Sequence, residues 1–336
     1  MKLRANTVTV HTKRTFAIAR SSADAFERVI LELETDGTTG RGEAAPTGYY
    51  GQTAEEARSA LEALEIEDPW DIRGTLAANT SLPPASLAAL DAALHDLAAK
   101  RLGVPVYRLL GIGRPTPTSA YTLGIADRET TIEAARELSR LGFPIFKMKV
   151  GSWEDIETVR AVAGGSEAEI WVDANEAFSL EEAPEVVREL KNIGVAMIEQ
   201  PVPASEGPDA LRAATEAADP IPIIADESAI NASDVPKLSG NVSGVNVKLA
   251  KCGGIRGALA MIQTARAHGM RVMLGCMVET SLGIAAAIQV SGMVDFVDLD
   301  GSLLLADDPF AGLRVEKGHL LLPDDPGLGV EPVGKA

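Results

Sequence analysis

The chain has 336 residues and a formal charge of −17, from 48 Asp and Glu against 31 Lys and Arg. That balance excludes a surface built for nucleic acid or an anionic membrane, which runs the other way. Hydrophobic residues at 46% and charged residues at 24% exclude a disordered polymer and leave ample material for a core. Aromatics are only 4%, so that core must come from Ala, Val, Leu and Ile, as in helices packed on buried strands. Cys252 and Cys276 are too few for a disulfide scaffold and read as reduced thiols. The start, MKLRANTVTVHTKR, has no apolar stretch before a cleavage site, and the apolar segment 280–294 is shorter than the roughly 20 residues of a membrane helix. A soluble cytoplasmic protein is expected.

In chain order, residues 2–11 and 26–35 read as strands, the second ending in an Asp-Gly turn. TAEEARSALEALEI and SLAALDAALHDLAAKRLG follow with apolar residues at helical spacing, and Gly103 is placed to cap the second helix. Together these predict an α+β domain over residues 1–115.

From Thr118 the texture becomes strict alternation. SAYTLGI, PIFKMKV, EIWVDAN, VAMIEQP, IPIIADES, GVNVKLA, RVMLGCM and DFVDLDG read as short strands. Amphipathic segments such as TTIEAARELSRLG and GIRGALAMIQTARAHG stand between them. Eight such units predict a closed (β/α) barrel over 116–310. An open doubly wound sheet would also alternate, but no Gly-rich nucleotide turn follows any strand. The tail, 311–336, is expected to pack back on the first domain.

Barrel chemistry sits at the carboxyl ends of the strands, so charged residues inside apolar strands mark the site. Lys147, Asp173, Glu199, Asp226 and Lys248 are separated by 26, 26, 27 and 22 residues, about one strand-plus-helix unit each. They are therefore expected at equivalent levels of one rim. Three converging carboxylates persist only around positive charge, and an all-oxygen set favours Mg²⁺, or Mn²⁺. Lys147 and Lys149 share a face by strand alternation, and Lys248 lies across the mouth. Two nearby ammoniums and a divalent ion should depress a lysine pKa toward neutrality, so that opposed lysines exchange a proton at the α-carbon of a metal-bound carboxylate. Asp298 and Asp300 also share a face and suit a cationic ligand group such as an ammonium.

The series K-M-K, D-A-N, E-Q-P, D-E-S, N-V-K-L-A-K-C-G-G and D-L-D-G resembles the enolase superfamily, muconate-lactonizing-enzyme subgroup, over essentially the whole chain. Within it the Asp298–Asp300 pair resembles the dipeptide epimerases of the L-Ala-D/L-Glu epimerase type. Proton abstraction with metal-stabilised enediolates is a known property of that superfamily and is carried over as such. The resemblance implies a modified TIM barrel of (β/α)7β type with an N-terminal capping domain. It implies one Mg²⁺ per active site on Asp173, Glu199 and Asp226, and Lys149 and Lys248 as the acid/base pair. Lys147 would neutralise the substrate carboxylate or enediolate, and Glu227 would orient a catalytic lysine. Asp298 and Asp300 would hold the dipeptide ammonium. Arg20 would meet an acidic side chain of the substrate, with Tyr49 and Tyr50 on the other wall, and Thr122 and Cys276 would line the pocket. The expected reaction inverts the α-carbon of the C-terminal residue of a dipeptide. The alternative on the same scaffold is an N-succinylamino acid racemase, a cycloisomerase or an o-succinylbenzoate synthase. The small-molecule dipeptide is the expected partner, without nucleic acid or membrane, and homo-oligomers occur on such scaffolds.

Overall fold

The computed structural model describes residues 1–334. Its first three strands, β1 (Lys2–Ile18), β2 (Ser21–Thr35) and β3 (Thr38–Ala44), form an antiparallel sheet in the order β1-β2-β3. The first two are longer than the sequence pattern suggests. Residues 12–25 lack buried alternation because the hairpin here leaves its own sheet. It stays extended by pairing Phe16 with Ala23 and Ile18 with Ser21 after a register shift. Its tip docks on the rest of the molecule through Ile125 N–H donating to Ala17 O at 2.9 Å.

Helices α1 (Ala54–Glu62), α2 (Ile72–Ala78) and α3 (Pro84–Leu102) cover the sheet, and the one-turn α4 (Val106–Leu109) leads away. α3 is buried almost all round, as a helix between two apolar layers must be. Leu90 and Leu94 join the core of the sheet, while Ala92 and Ala99 join the core of the barrel. β3 meets it through Gly40 and Gly42, where a Cβ would lie 2.2 Å from Ala93 O and 2.0 Å from Ala89 O. Only glycine permits that approach. Gly103 ends α3 with φ 70°, its N–H on Lys100 O.

Eight parallel strands follow: β4 (Tyr121–Leu123), β5 (Ile145–Lys149), β6 (Glu169–Asp173), β7 (Met197–Glu199), β8 (Ile223–Ala225), β9 (Gly244–Lys248), β10 (Arg271–Gly275) and β11 (Phe296–Asp298). They pair in sequence order, and Ala120 N–H donating to Val297 O at 2.9 Å brings the last strand to the first. The connections carry α5 (Arg128–Arg140), α6 (Trp153–Gly165), α7 (Ala183–Ile193), α8 (Arg212–Ala218), α9 (Val235–Leu238), the pair α10 (Leu249–Cys252) and α11 (Ile255–Ala267), and α12 (Ser281–Ile288). A 3₁₀ turn, Gly301–Leu304, follows β11 in place of an eighth helix. The fold is thus a modified TIM barrel of (β/α)7β type with an N-terminal antiparallel sheet domain.

Strand alternation builds the barrel in layers. Outward residues such as Phe146, Val172, Ile198, Val245 and Leu274 are buried against the helices. Inward residues at the lower level, Ala120, Trp171, Met197, Ile224 and Met273, form a separate plug with Phe296. One inward position higher the side chains become charged.

The tail makes β12 (Phe310–Ala311), β13 (Arg314–Glu316), β14 (His319–Leu321) and β15 (Glu331–Pro332). It straps the barrel to the region of α3: Gly327 exchanges backbone bonds with Val104 and Val106, and Glu331 pairs with Arg41 and Lys100 at 2.7 and 2.9 Å. Among the described residues no helix is long and apolar enough to cross a membrane.

Candidate active site

Parallel register sets the upper inward layer. Lys149 lies beside Asp173 and Asp173 beside Glu199, while Lys248, Gly275 and Asp298 form a second row. Asp226 stands one residue beyond β8, and Thr122 pairs with Lys147 across β4 and β5. The singled-out lysines and carboxylates therefore face one mouth. Above it lies a cavity of about 730 Å³, walled by Lys147, Lys149, Asp226, Lys248, Asp298 and Asp300 below. Arg20, Phe26, Tyr49 and Tyr50 of the N-terminal domain form the roof.

Lys147 is the hub. Its buried ammonium lies 3.0 Å from Asp173, 2.7 Å from Glu199 and 2.7 Å from Asp298. Lys149 donates to Asp173 Oδ2 at 2.6 Å, and Lys248 donates to Asp226 Oδ2 at 2.8 Å. Thr122 N–H donates to Asp300 at 2.5 Å, and Thr122 Oγ1 reaches Asp298 at 3.5 Å. Cys276 lines the cavity with its Sγ donating to Asp298 O at 3.3 Å, and burial pushes this thiol well above its ordinary range.

These contacts dominate the electrostatics of the two buried lysines in the chain alone. Burial is the largest single influence on Lys147 and pulls its pKa down, but Asp173, Asp298 and Glu199 together hold it well above the ordinary lysine value. Lys248 is likewise raised, because Asp226 and Glu199 outweigh burial and the weaker repulsion from Lys147. Without a divalent ion, the carboxylates win over lysine–lysine repulsion. On the acidic side the division is uneven. Burial opposes ionisation at Asp173 and Asp226, yet Lys147 and Lys149 lower the first, and Lys248 and Lys251 lower the second. Burial and Asp173 push Glu199 up to about 7, and burial with Asp298 pushes Asp300 up to about 7.

Arg20 and Glu227 meet each other across the mouth of the cavity. Arg20 sits at the hairpin tip and donates to Glu227 Oε1 at 2.7 Å and to Asn175 O at 3.1 Å, with its guanidinium 4.3 Å over the Tyr49 ring. Tyr49 OH donates to Glu176 at 2.8 Å. Glu227 thus takes an arginine and Asn175 as its partners, where a lysine was expected. The roof and the barrel meet through this latch.

Sequence reasoning passed over three supporting side chains. Asn246 points inward one position below Lys248 and donates to Glu199 at 2.6 Å. Gly275 makes room for it, since a Cβ there would lie 2.6 Å from Asn246 Oδ1. Gln200 receives the Asp226 and Ser228 N–H groups at 2.9 and 3.2 Å from a backbone at φ +37°. Lys251 bonds Asp226. All three lie in the motifs E-Q-P and N-V-K-L-A-K-C-G-G, where strand period and helix start would have exposed them.

The donor set suits a hard cation. Among the described residues, Asn175 Oδ1, Glu199 Oε2 and Glu227 Oε2 are buried acceptors without a hydrogen-bond donor. Lys147 lies 2.7 Å from Glu199 Oε2 as a neighbouring charge, but outside hydrogen-bond geometry. Orphaned acceptor oxygens beside two further carboxylates are what an oxygen-seeking divalent ion satisfies. Among the described residues no three such groups are drawn into ligand geometry, because Asp173 and Asp226 are turned to ammoniums.

Comparison with known proteins places the chain in a family. Residues 2–111 match the N-terminal domain model of the mandelate racemase / muconate lactonizing enzyme family, and residues 130–336 match the enolase C-terminal domain-like model. An L-Ala-D/L-Glu epimerase of Bacteroides thetaiotaomicron is 39% identical over 95% of this chain and 84% of its own length. A hydrophobic dipeptide epimerase of Roseobacter litoralis is 37% identical over 98% of each chain. The crystal structure of a dipeptide epimerase from Enterococcus faecalis, complexed with Mg and L-Leu-L-Tyr, superposes with a TM-score of 0.91 at 31% identity over 98% of each chain. The chain belongs to the mandelate racemase / muconate lactonizing enzyme family of the enolase superfamily, and it is an isomerase of the epimerase branch.

Proposed function

We propose that this protein is a Mg²⁺-dependent dipeptide epimerase of the L-Ala-D/L-Glu type, which inverts the α-carbon of the C-terminal residue. The observation that carries the reading is the opposition of Lys149 on β5 and Lys248 on β9 across one cavity, with Asp298 and Asp300 beside them. An acidic pair next to two lysines fits a zwitterionic substrate whose ammonium and carboxylate lie at opposite ends. The relatives' names support dipeptides as the substrate class.

Asp173, Glu199 and Asp226 would hold one Mg²⁺. A bound Mg²⁺ supplies positive charge to the substrate carboxylate and competes with the lysines for their acidic partners. Lys149 and Lys248 take the α-proton from one face and return a proton to the other. Lys147, fixed among Asp173, Glu199 and Asp298, adds positive charge where the carboxylate gains electron density. Asp298 and Asp300 orient the ammonium, with Thr122 holding Asp300 in place. Arg20, Tyr49 and Tyr50 form the wall that meets the second side chain. The sheet domain of residues 1–115, completed by the tail 311–336, of which 335–336 lie outside the described residues, caps the barrel domain of 116–310.

The test is proton NMR in D₂O with Mg²⁺ on L-Ala-L-Glu, a panel of apolar and basic dipeptides, and N-succinyl amino acids. Loss of the Glu α-proton with appearance of the diastereomer is the expected result. Turnover of apolar or basic dipeptides alone would remove the acidic preference assigned to Arg20. Activity confined to N-succinyl amino acids would overturn the assignment of Asp298 and Asp300.

A further inference from the structure

One fully buried lysine has no place in the reaction just described. Lys251 lies on α10, three residues past Lys248, and its side chain has no exposed surface. It is not among the cavity-lining residues, so it cannot touch substrate. Its ammonium is surrounded by four oxygens: Asp226 Oδ1 at 2.5 Å, Asp226 O at 2.7 Å, Ala229 O at 2.9 Å and Asn246 O at 3.1 Å. Three N–H groups shared among four acceptors leave nothing free for any other ligand.

The pattern of those acceptors is informative. Two belong to Asp226 itself, one on its side chain and one on its backbone, so a single ammonium fixes the carboxylate relative to its own peptide. A third, Ala229 O, closes the turn that Ala229 N–H already makes with Asp226 O at 3.0 Å. The fourth, Asn246 O, ties that turn to β9 two residues before Lys248. Gln200 holds the Asp226 N–H from the other side. With Oδ1 occupied, Asp226 presents one oxygen, Oδ2, toward Lys248 and the cavity.

We infer that Lys251 is a positioning residue for cation binding: it locks Asp226 as a ligand that offers a single oxygen. The inference rests on the reading of Asp226 as a metal ligand. It also accounts for an ammonium buried where a neutral side chain would serve packing alone, since removing such a group from a ligand's outer contacts typically costs about 10- to 100-fold in metal affinity.

The test measures Mg²⁺ affinity by calorimetry, and Mn²⁺ affinity by electron paramagnetic resonance, on Lys251→Met and Lys251→Gln. Each variant is first shown to melt cooperatively without metal. Lys251→Met should weaken both ions by about 10- to 100-fold, and Lys251→Gln, which keeps two donors, by less. The same pair is then made in an Asp226→Asn background. If Lys251 acts through the Asp226 carboxylate, its removal there changes affinity no further. Unchanged affinity in Lys251→Met, or an equal loss in both backgrounds, would overturn the inference and leave Lys251 a structural group. Unchanged affinity in Asp226→Asn alone would overturn the metal reading itself, and the inference with it.

Discussion

Lys147 illustrates how a single side chain reconciles opposing charges. Three buried carboxylates lie within 3.0 Å of one ammonium; without it Glu199 and Asp298 would be unpaired charges out of water, and Asp173 would keep only Lys149. Lys147→Met should therefore lower the stability of the metal-free protein by about 3–5 kcal/mol in urea titrations, the usual cost of removing one partner from a buried pair. A loss below 1 kcal/mol would mean that the carboxylates accept protons at little cost. Asp300 makes a different prediction. Among the described residues it holds no ammonium and takes only backbone and Thr122 contacts, and it lines the cavity. Asp300→Asn should raise KM for a free dipeptide by about 10- to 100-fold, the value of a charge-assisted hydrogen bond. KM for the same dipeptide acylated at its amine should not change in parallel.

At the level of elements, the N-terminal sheet is joined to the barrel by buried ionisable groups as well as by α3. Glu43 on β3 accepts the Thr280 and Gly283 N–H groups at 3.1 and 3.2 Å, at the start of α12, and also bonds the Thr280 hydroxyl. Arg28 on β2 stands 3.9 Å from it and donates to Val278 O at 2.6 Å. Burial and the neighbouring Glu279 push Glu43 up from 4.5 to about 8, against the pull of Thr280 and Arg28. A raised carboxylate binds its proton more tightly in the folded state than in the unfolded one. Its contribution to stability is full below about pH 4.5 and is lost as pH climbs through 8. Wild type should thus lose stability across that window with a slope of at most about 1.4 kcal/mol per pH unit from this group. Chemical denaturation at successive pH values should show Glu43→Gln with a flatter profile, and an identical slope in both proteins would contradict the assignment.

Elements also show where the sequence was legible. The inward charged layer could be read because a lysine or aspartate in an apolar strand violates the strand's own pattern, and equal spacing then repeats the violation around the barrel. The hairpin from residue 12 to 25 could not, because it is held by pairing and docking and not by a buried face. Asn246, Gln200 and Lys251 escaped notice since each bonds a singled-out carboxylate residue without lining the cavity itself. The balance of charge at each lysine is hidden from sequence for a related reason. Sequence gives the number of charges in a layer, but only the folded arrangement decides that Asp226, 2.8 Å from Lys248, outweighs Lys147 there.

On the scale of the whole molecule, two layers meet at one cavity: a barrel rim that supplies charge, and a sheet domain that supplies a roof. The latch of Arg20, Tyr49, Glu176 and Glu227, the clamp of Arg28 and Glu43, and the tail strap at Glu331 all cross between the N-terminal domain and the rest. A pocket divided in this way can keep the reacting end constant while its roof changes. That fits the relatives, which share the scaffold and carry different dipeptides in their names. In the proposed reading the roof sets which dipeptide enters, and the two lysines act on it.

The most direct measurement is stereospecific exchange of the substrate α-proton in D₂O, followed by NMR, for Lys149→Ala and Lys248→Ala with Mg²⁺ present. Each variant should lose epimerisation yet still exchange the α-proton of one epimer, and the two variants should choose opposite epimers. Exchange from both epimers in both variants would contradict a mechanism with one lysine on each face.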